Sequence, residues 1–277
     1  MKLWNKQKGM RLLSGCLDLL MIFVFAFVVF ILYDVVYLRN NTSYRTAKET
    51  EFTILKESHL YEELGGGAMR MIQSDYDVHL EEFYEVYPYD VTSGYISYEE
   101  AKEKSGFFVE SAGGWVLKEN FKEDSDGVRD FFAKEMNLAI RTLAKNGDYQ
   151  KAAQLVSKKE ALGQDISIFS SCTVFLLILP FCLKDRGTLG KKICKLKMVS
   201  KHGNPVHFVQ VIVRYLVLMI VVVFFSTMIP GAFLLMQAGC ILLTKEGKGL
   251  DDCLADTLVL TSGQIEERKT ENEKENG

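Results

Sequence analysis

The apolar residues of this chain are gathered into three runs. Residues 12–33 carry one charge, Asp18; residues 166–183 carry none; residues 208–243 carry one, Arg214. A helix needs about 20 largely apolar residues to cross a hydrocarbon core of about 30 Å. The first run qualifies, the second is near the lower limit, and the third holds one span plus most of another. Between the first two runs the pattern changes. Residues 42–64 read as a charge-rich helix broken by the GGG at 65–67. "SDYDVHLEEFYEVYPYD" alternates partly, which fits short strands or a compact loop. "EEAKEKSG" and "WVLKENF" are short elements around Gly113 and Gly114. From Val128 to Ala144 the apolar spacing is helical, Asn146-Gly147 is a stop, and "DYQKAAQLVSKKEAL" restarts a helix.

The third run is punctuated by Ser226, Thr227, Pro230 and Gly231. We expect a full span, a bend near Pro230 and a shorter element that returns. A single long kinked span is the alternative, and it would put the C-terminus on the opposite side. Asp165 stands where it can cap the start of the second span. After that span, Leu196 and Met198 alternate with Lys195 and Lys197 before an "HGNP" turn, the pattern of an interfacial element. The final segment, 261–277, is almost wholly polar and is expected to be disordered.

Composition alone, 48% hydrophobic and 25% charged, resembles an ordinary soluble protein. The clumping overrides it. The first run follows Lys2, Lys6, Lys8 and Arg11, as a secretory signal would. A signal's apolar stretch is about 7–15 residues and ends in a small-residue cleavage site. This one continues to Tyr33 without such a site, so an uncleaved span is expected.

Charge then sets the orientation. Residues 39–165 hold 16 Lys+Arg and 24 Asp+Glu, a net of −8, and the rest of the chain carries +5. Residues 184–201 carry seven basic residues against one acid, Asp185. Basic residues collect in cytoplasmic loops. The N-terminus and the 184–207 loop are therefore placed in the cytoplasm, 39–165 outside, and the C-terminus in the cytoplasm. The basic loop also suits anionic lipid headgroups. None of the six cysteines falls in 39–165, so that block must stand on its own core without disulfides.

The charged residues inside the runs carry the candidate chemistry. Seven residues turn 700°, only about 20° short of two helical turns, so Arg11 and Asp18 share a face with Ser14 and Gly15 between them. Intramembrane ionisable groups are costly and mark function by default. Arg214 lies at a depth matching Asp18, which permits an Asp18–Arg214 pair. Arg11 has Asp251 or Asp252 as its counterpart. A functional network and a set of ionic staples fixing helix register weigh about equally here. Asp75, Asp77 and His79 alternate as strand-borne metal ligands would, but a solvated acidic face is the stronger reading. No metal and no cofactor are expected.

With these residues in view, the sequence resembles the RDD family of bacterial membrane proteins. Arg11 and Asp18 match the arginine and aspartate of that family's first span. "GTLGKKICKLKMVSKHGNP" matches its Gly-Thr-x-Gly-Lys stretch, Arg214 its next arginine, and Asp252 in "DDCLADT" its second aspartate. The resemblance covers 9–38 and 166–260 and is absent from 39–165. Asp251 stands where the family often has histidine, and Asp256 where it has glycine. The resemblance implies a multi-pass cell-membrane protein; some members are thought to exchange cations for protons, and the missing histidine puts any mechanism relying on it in doubt.

The expected architecture is an all-α membrane helix bundle of three to four membrane segments with an inserted, mostly helical extracytoplasmic domain. It divides into 1–38 (N-terminus and first span), 39–165 (insertion), 166–260 (RDD-like membrane region) and 261–277 (tail). The site residues are Arg11, Asp18, Arg214 and Asp252, with Asp251 and Ser14 secondary. One expectation is a transporter or transport accessory, assembled as a homo-oligomer. The other is a non-catalytic anchored binding or sensor module whose outer domain takes a protein partner. The chain has no GxSxG, HExxH, P-loop or paired Cys/His, so no enzyme is expected, and topology accounts for its basic loops without nucleic acid.

Overall fold

The computed structural model describes residues 6–111, 113–123, 125–201, 203–228 and 232–266. In chain order the elements are α1 (Lys6–Tyr33, continued by a π turn at Asp34–Leu38), α2 (Thr42–Glu57), β1 (Tyr61–Gly65), β2 (Ala68–Met71), α3 (Tyr76–Val86), α4 (Tyr98–Ser105), β3 (Phe108–Ser111), β4 (Gly114–Leu117), α5 (Asp126–Ala144), α6 (Gly147–Thr173, continued by a π turn at Val174–Ile178) and α7 (Leu179–Cys182). There follow α8 (Leu189–Ile193), β5 (Leu196–Ser200), α9 (Phe208–Met228), α10 (Ala232–Leu243), α11 (Leu250–Leu254) and β6 (Thr257–Thr261). The fold is mostly helical but not all-α. Three two-stranded antiparallel pairs, β1–β2, β3–β4 and β5–β6, correct that expectation. Two compact units result: Met1–Asp34 with Leu162–Gly277, and Val35–Ala161.

The unit Val35–Ala161 has a core of Leu60, Ile72, Leu80, Phe83, Tyr98, Phe108, Val128 and Phe132, joined by Met136, Ala139 and Leu143 from α5. The helix expected over 42–64 ends at Glu57, and the chain turns into a hairpin whose tip, Gly65–Gly66–Gly67, has φ of 91°, 65° and 80°. Only glycine enters that region freely. The alternating "SDYDVH" segment forms α3, because Leu80 and Phe83 bury one helical face. Asp75 precedes the helix, and on it Asp77 and His79 stand about 200° apart. The Asp77 carboxylate accepts from the Tyr98 hydroxyl at 2.9 Å and from Lys102 at 3.2 Å. Among the described residues no group of three His, Cys, Asp or Glu is placed to hold a metal ion.

In the other unit, α1 buries a narrow stripe: Arg11, Ser14, Asp18, Ile22 and Ala26. These recur every three or four residues, one face of a helix. Leu20, Phe23, Val24, Phe27 and Leu32 point outward. Among the described residues, two helices are long and apolar enough to cross a membrane, Gln7–Leu38 and Gly147–Cys182. Only 11% of the most apolar stretch of the first is buried within the protein, unlike a soluble core helix. The second is continuous from Gly147, so Asp165 lies inside a helix and caps nothing. At Gly163 an added Cβ would lie 2.4 Å from the Tyr33 ring, so α6 meets α1 through a glycine.

The course of the third run is settled by Asp251. Arg214 and Gln237 lie 23 residues apart, about 35 Å along one straight helix. Both donate to the Asp251 carboxylate. The chain therefore reverses between α9 and α10 and returns to the end where α9 began. The bend expected at Pro230 and Gly231 lies outside the described residues. The tail is ordered further than expected: Thr261 pairs with Leu196 at the end of β6, residues 262–266 are helical, and Gln264 donates to Gln7 at 3.1 Å. The remaining tail, 267–277, lies outside the described residues.

Candidate functional site

Four segments bring charged or hydrogen-bonding side chains to one place. α1 supplies Arg11 and Asp18, the α7–α8 turn supplies Thr188, α9 supplies Arg214, and α11 supplies Asp251 and Asp252. All five ionisable groups are nearly inaccessible, from 7% exposed at Asp18 to 1% at Asp252. Isolated buried charges would be prohibitive, so each must be paired or hydrogen-bonded.

Asp252 is the hub. It accepts from Arg11 and from Arg214, from the Gly249 N–H at 3.1 Å and from the Thr257 hydroxyl at 3.2 Å. Arg214 forks, one nitrogen on Asp252 and the other on Asp251, and also donates to Thr257 at 2.7 Å. The guanidinium's planar donors suit two adjacent carboxylates. Burial pushes the Asp252 carboxyl up, but Arg214 and Arg11 outweigh it and hold it well below the usual carboxylate range. Asp251 receives a further donor from the Gln237 side chain, whose oxygen accepts the Leu250 N–H at 3.0 Å. Gln237 thus ties α10 to α11.

Asp18 is held differently. Its direct donors are the Thr188 hydroxyl and the Gly190 N–H, the latter at 2.7 Å. The backbone comes this close because residue 190 is glycine. An added Cβ would sit 2.2 Å from the Ser14 carbonyl and 2.8 Å from the Asp18 carboxylate. Lys191 donates to the Thr188 hydroxyl at 3.3 Å, and burial followed by repulsion from Arg214 pushes its ammonium down. Counting Lys191, three cations face three carboxylates, a neutral cluster.

The expected Asp18–Arg214 pair does not form. Equal depth was a necessary condition only: Arg214 faces α11 and Asp18 faces α8. Arg11 takes Asp252 from the two candidates. Ser14 is spent on its own helix, donating to the Arg11 carbonyl at 2.8 Å. Four participants escaped the sequence reading: Thr188, Gly190, Gln237 and Thr257. Gln237 left a signal, as the polar residue within α10. Thr188 and Gly190 sit in one stretch that carried the family resemblance, and Thr257 closes the other, "DDCLADT".

The RDD family model matches residues 130–256. That stretch of the chain is similar to the RDD family. The match includes Arg214, Asp251, Asp252 and the Thr188–Gly190 turn, and it stops short of α1. The place of Arg11 and Asp18 in the cluster therefore rests on the structure. Neither the curated proteins nor the solved structures yield a match. The similarity to the RDD family and the two long apolar helices together point to a membrane protein.

Proposed function

We propose that this RDD-type membrane protein is a transporter or transport accessory in which Asp18 is the exchangeable site for a proton or a small cation. The supporting observation is the contrast between its carboxylates. Asp251 and Asp252 are tied to guanidiniums, which cannot deprotonate. Asp18 is held by a hydroxyl and a backbone N–H, neutral donors that leave its charge open to exchange. Four membrane segments, α1, α6–α7, α9 and α10, would enclose the site, with the N-terminus, the α8–β5 segment and the C-terminus on the cytoplasmic side. So few segments favour a homo-oligomeric assembly. The chain is read as non-catalytic in the enzymatic sense.

The test is ion and proton flux in vesicles holding the purified protein. Asp18→Asn should abolish flux while the protein remains folded. Unchanged flux in the folded variant would remove this reading.

A second reading has its own support. Val35–Ala161 is a compact unit with its own core, larger than a connection between spans requires. We read it as an extracytoplasmic module for a protein partner. Replacing residues 39–160 by a short linker separates the readings: a transporter keeps measurable flux, whereas a sensor loses its partner.

A further inference from the structure

The membrane unit contains an internal repeat that its residues hide. α7 ends at Cys182 and α10 at Leu243; α8 spans Leu189–Ile193 and α11 spans Leu250–Leu254; β5 spans Leu196–Ser200 and β6 spans Thr257–Thr261. Every one of these boundaries recurs after 61 residues. The turns repeat too. Arg186 and Gly247 share positive φ, 50° and 67°, and so do Lys195 and Asp256, at 56° and 53°. Backbone hydrogen bonds follow the same offset: Cys194 N–H to the Gly190 carbonyl and Ala255 N–H to the Asp251 carbonyl, at 3.0 and 3.1 Å. The strand ladder fixes the relation between the copies. β5 and β6 are antiparallel, and the central pair is Met198 with Val259, themselves 61 residues apart. A local two-fold axis therefore passes between them and exchanges the two feet, α8 packed on α1 and α11 packed on α9.

The feet share one outward feature and differ in another. Ile193 and Leu254 occupy equivalent positions and are each 61% exposed. Each lies 11 residues past the end of the preceding helix along the same backbone path, so the two-fold axis makes the two positions equivalent. Around them the exposed charges diverge. Lys184 and Asp185 have counterparts of like charge in Lys245 and Glu246. Exposed Lys192, Lys195 and Lys197 are replaced by Cys253, Asp256 and Leu258. The first foot carries a net of +3 over these positions and the second −1. An exposed apolar side chain with exposed lysines one, two and four residues away has the composition of an interfacial anchor at an anionic surface.

We propose that both feet rest in the headgroup layer of the membrane, and that the α8 foot selects anionic phospholipids while the α11 foot does not. The lipid is recognised by its headgroup charge, through Lys192, Lys195 and Lys197, with Ile193 anchoring the foot among the upper acyl carbons. The α11 foot, with the same geometry, is a control built into the same chain. This assignment does not depend on transport, because it concerns the lipid-facing surface and leaves the buried Asp18 site untouched.

The experiment places a single tryptophan in each foot. In a background of Trp4→Phe and Trp115→Phe, Ile193→Trp and Leu254→Trp are separately reconstituted into bilayers of phosphatidylcholine and phosphatidylglycerol, with bromine on the acyl chains of one lipid or the other. Both tryptophans should be quenched by brominated lipid. Trp fluorescence at position 193 should report phosphatidylglycerol over phosphatidylcholine by about fivefold or more, the factor that one lysine near an anionic surface supplies. At position 254 the two lipids should quench equally. Changing Lys192, Lys195 and Lys197 to Gln should erase the preference at 193. No quenching at 193, or equal lipid preference at both positions, would overturn the proposal. A second measurement covers poor reconstitution of the tryptophan variants: native mass spectrometry of the otherwise unaltered protein should show retained phosphatidylglycerol that the triple Gln variant loses, and equal retention by both would overturn it as well.

Discussion

The Asp18 carboxylate accepts the Gly190 backbone N–H at 2.7 Å, across 172 residues of sequence. The contact joins α1 to α8, and it requires a residue without a side chain at 190. Gly190→Ala would put a Cβ 2.2 Å from the Ser14 carbonyl. Backbone cannot yield as a flexible side chain does, and overpacking of this kind costs about 1–3 kcal/mol or more. Thermal unfolding in detergent should show a clear fall in midpoint for this variant, and Gly15→Ala, where nothing lies within 4 Å, should show little change.

Arg214 tests the locked half of the cluster. Removing it leaves Asp251 and Asp252 sharing Arg11 and neutral donors. Breaking a buried pair from one side costs about 3–5 kcal/mol. Arg214→Met should therefore unfold at much lower denaturant than the parent. Arg214→Lys should recover only part of the loss, because a point-like ammonium cannot fork onto two carboxylates. Full recovery by lysine would show that charge alone matters.

The legibility of this site varied by residue. Arg11, Asp18, Arg214, Asp251 and Asp252 were visible because charge inside an apolar run is rare, and the structure gathers all five. The pairing was not visible, since periodicity gives the face and depth of a residue but not which neighbouring helix it meets. Gly190 could be read only as part of the Gly-Thr-x-Gly-Lys stretch, because its role lies in another element's backbone. The α3 segment was misjudged for a related reason: Tyr76, Val78 and Leu80 alternate like a strand, and only burial of Leu80 with Phe83 decides for a helix. The 61-residue repeat was hidden because residues 183–200 and 244–261 share only Lys184/Lys245 and Leu189/Leu250. Its conservation is in backbone path, which two identities do not reveal.

Glu135 gives the Val35–Ala161 unit a pH dependence. It is fully buried, accepts from the Tyr89 hydroxyl at 2.9 Å, and its other oxygen and the Tyr84 hydroxyl find no partner among the described residues. Burial raises its pKa above 4.5, the Tyr89 bond opposing in part. A raised carboxyl favours the folded state below the unfolded pKa, and that contribution is lost as pH rises through the folded value. Glu135→Gln should remove this step and raise stability near neutral pH by on the order of 1 kcal/mol, since a buried carboxylate oxygen without a donor is costly. Chemical denaturation followed at Trp115, over a pH series from 4 to 8, checks it. A less stable Gln variant at pH 8 would refute the burial argument.

The central claim is that Asp18 exchanges its charge while Asp251 and Asp252 are locked. Dicyclohexylcarbodiimide modifies carboxyls that take up a proton in apolar surroundings, and peptide mass spectrometry locates the adduct. The account predicts an adduct at Asp18, suppressed by the transported cation, with Asp251 and Asp252 unmodified. An adduct at Asp252 with none at Asp18 would contradict it.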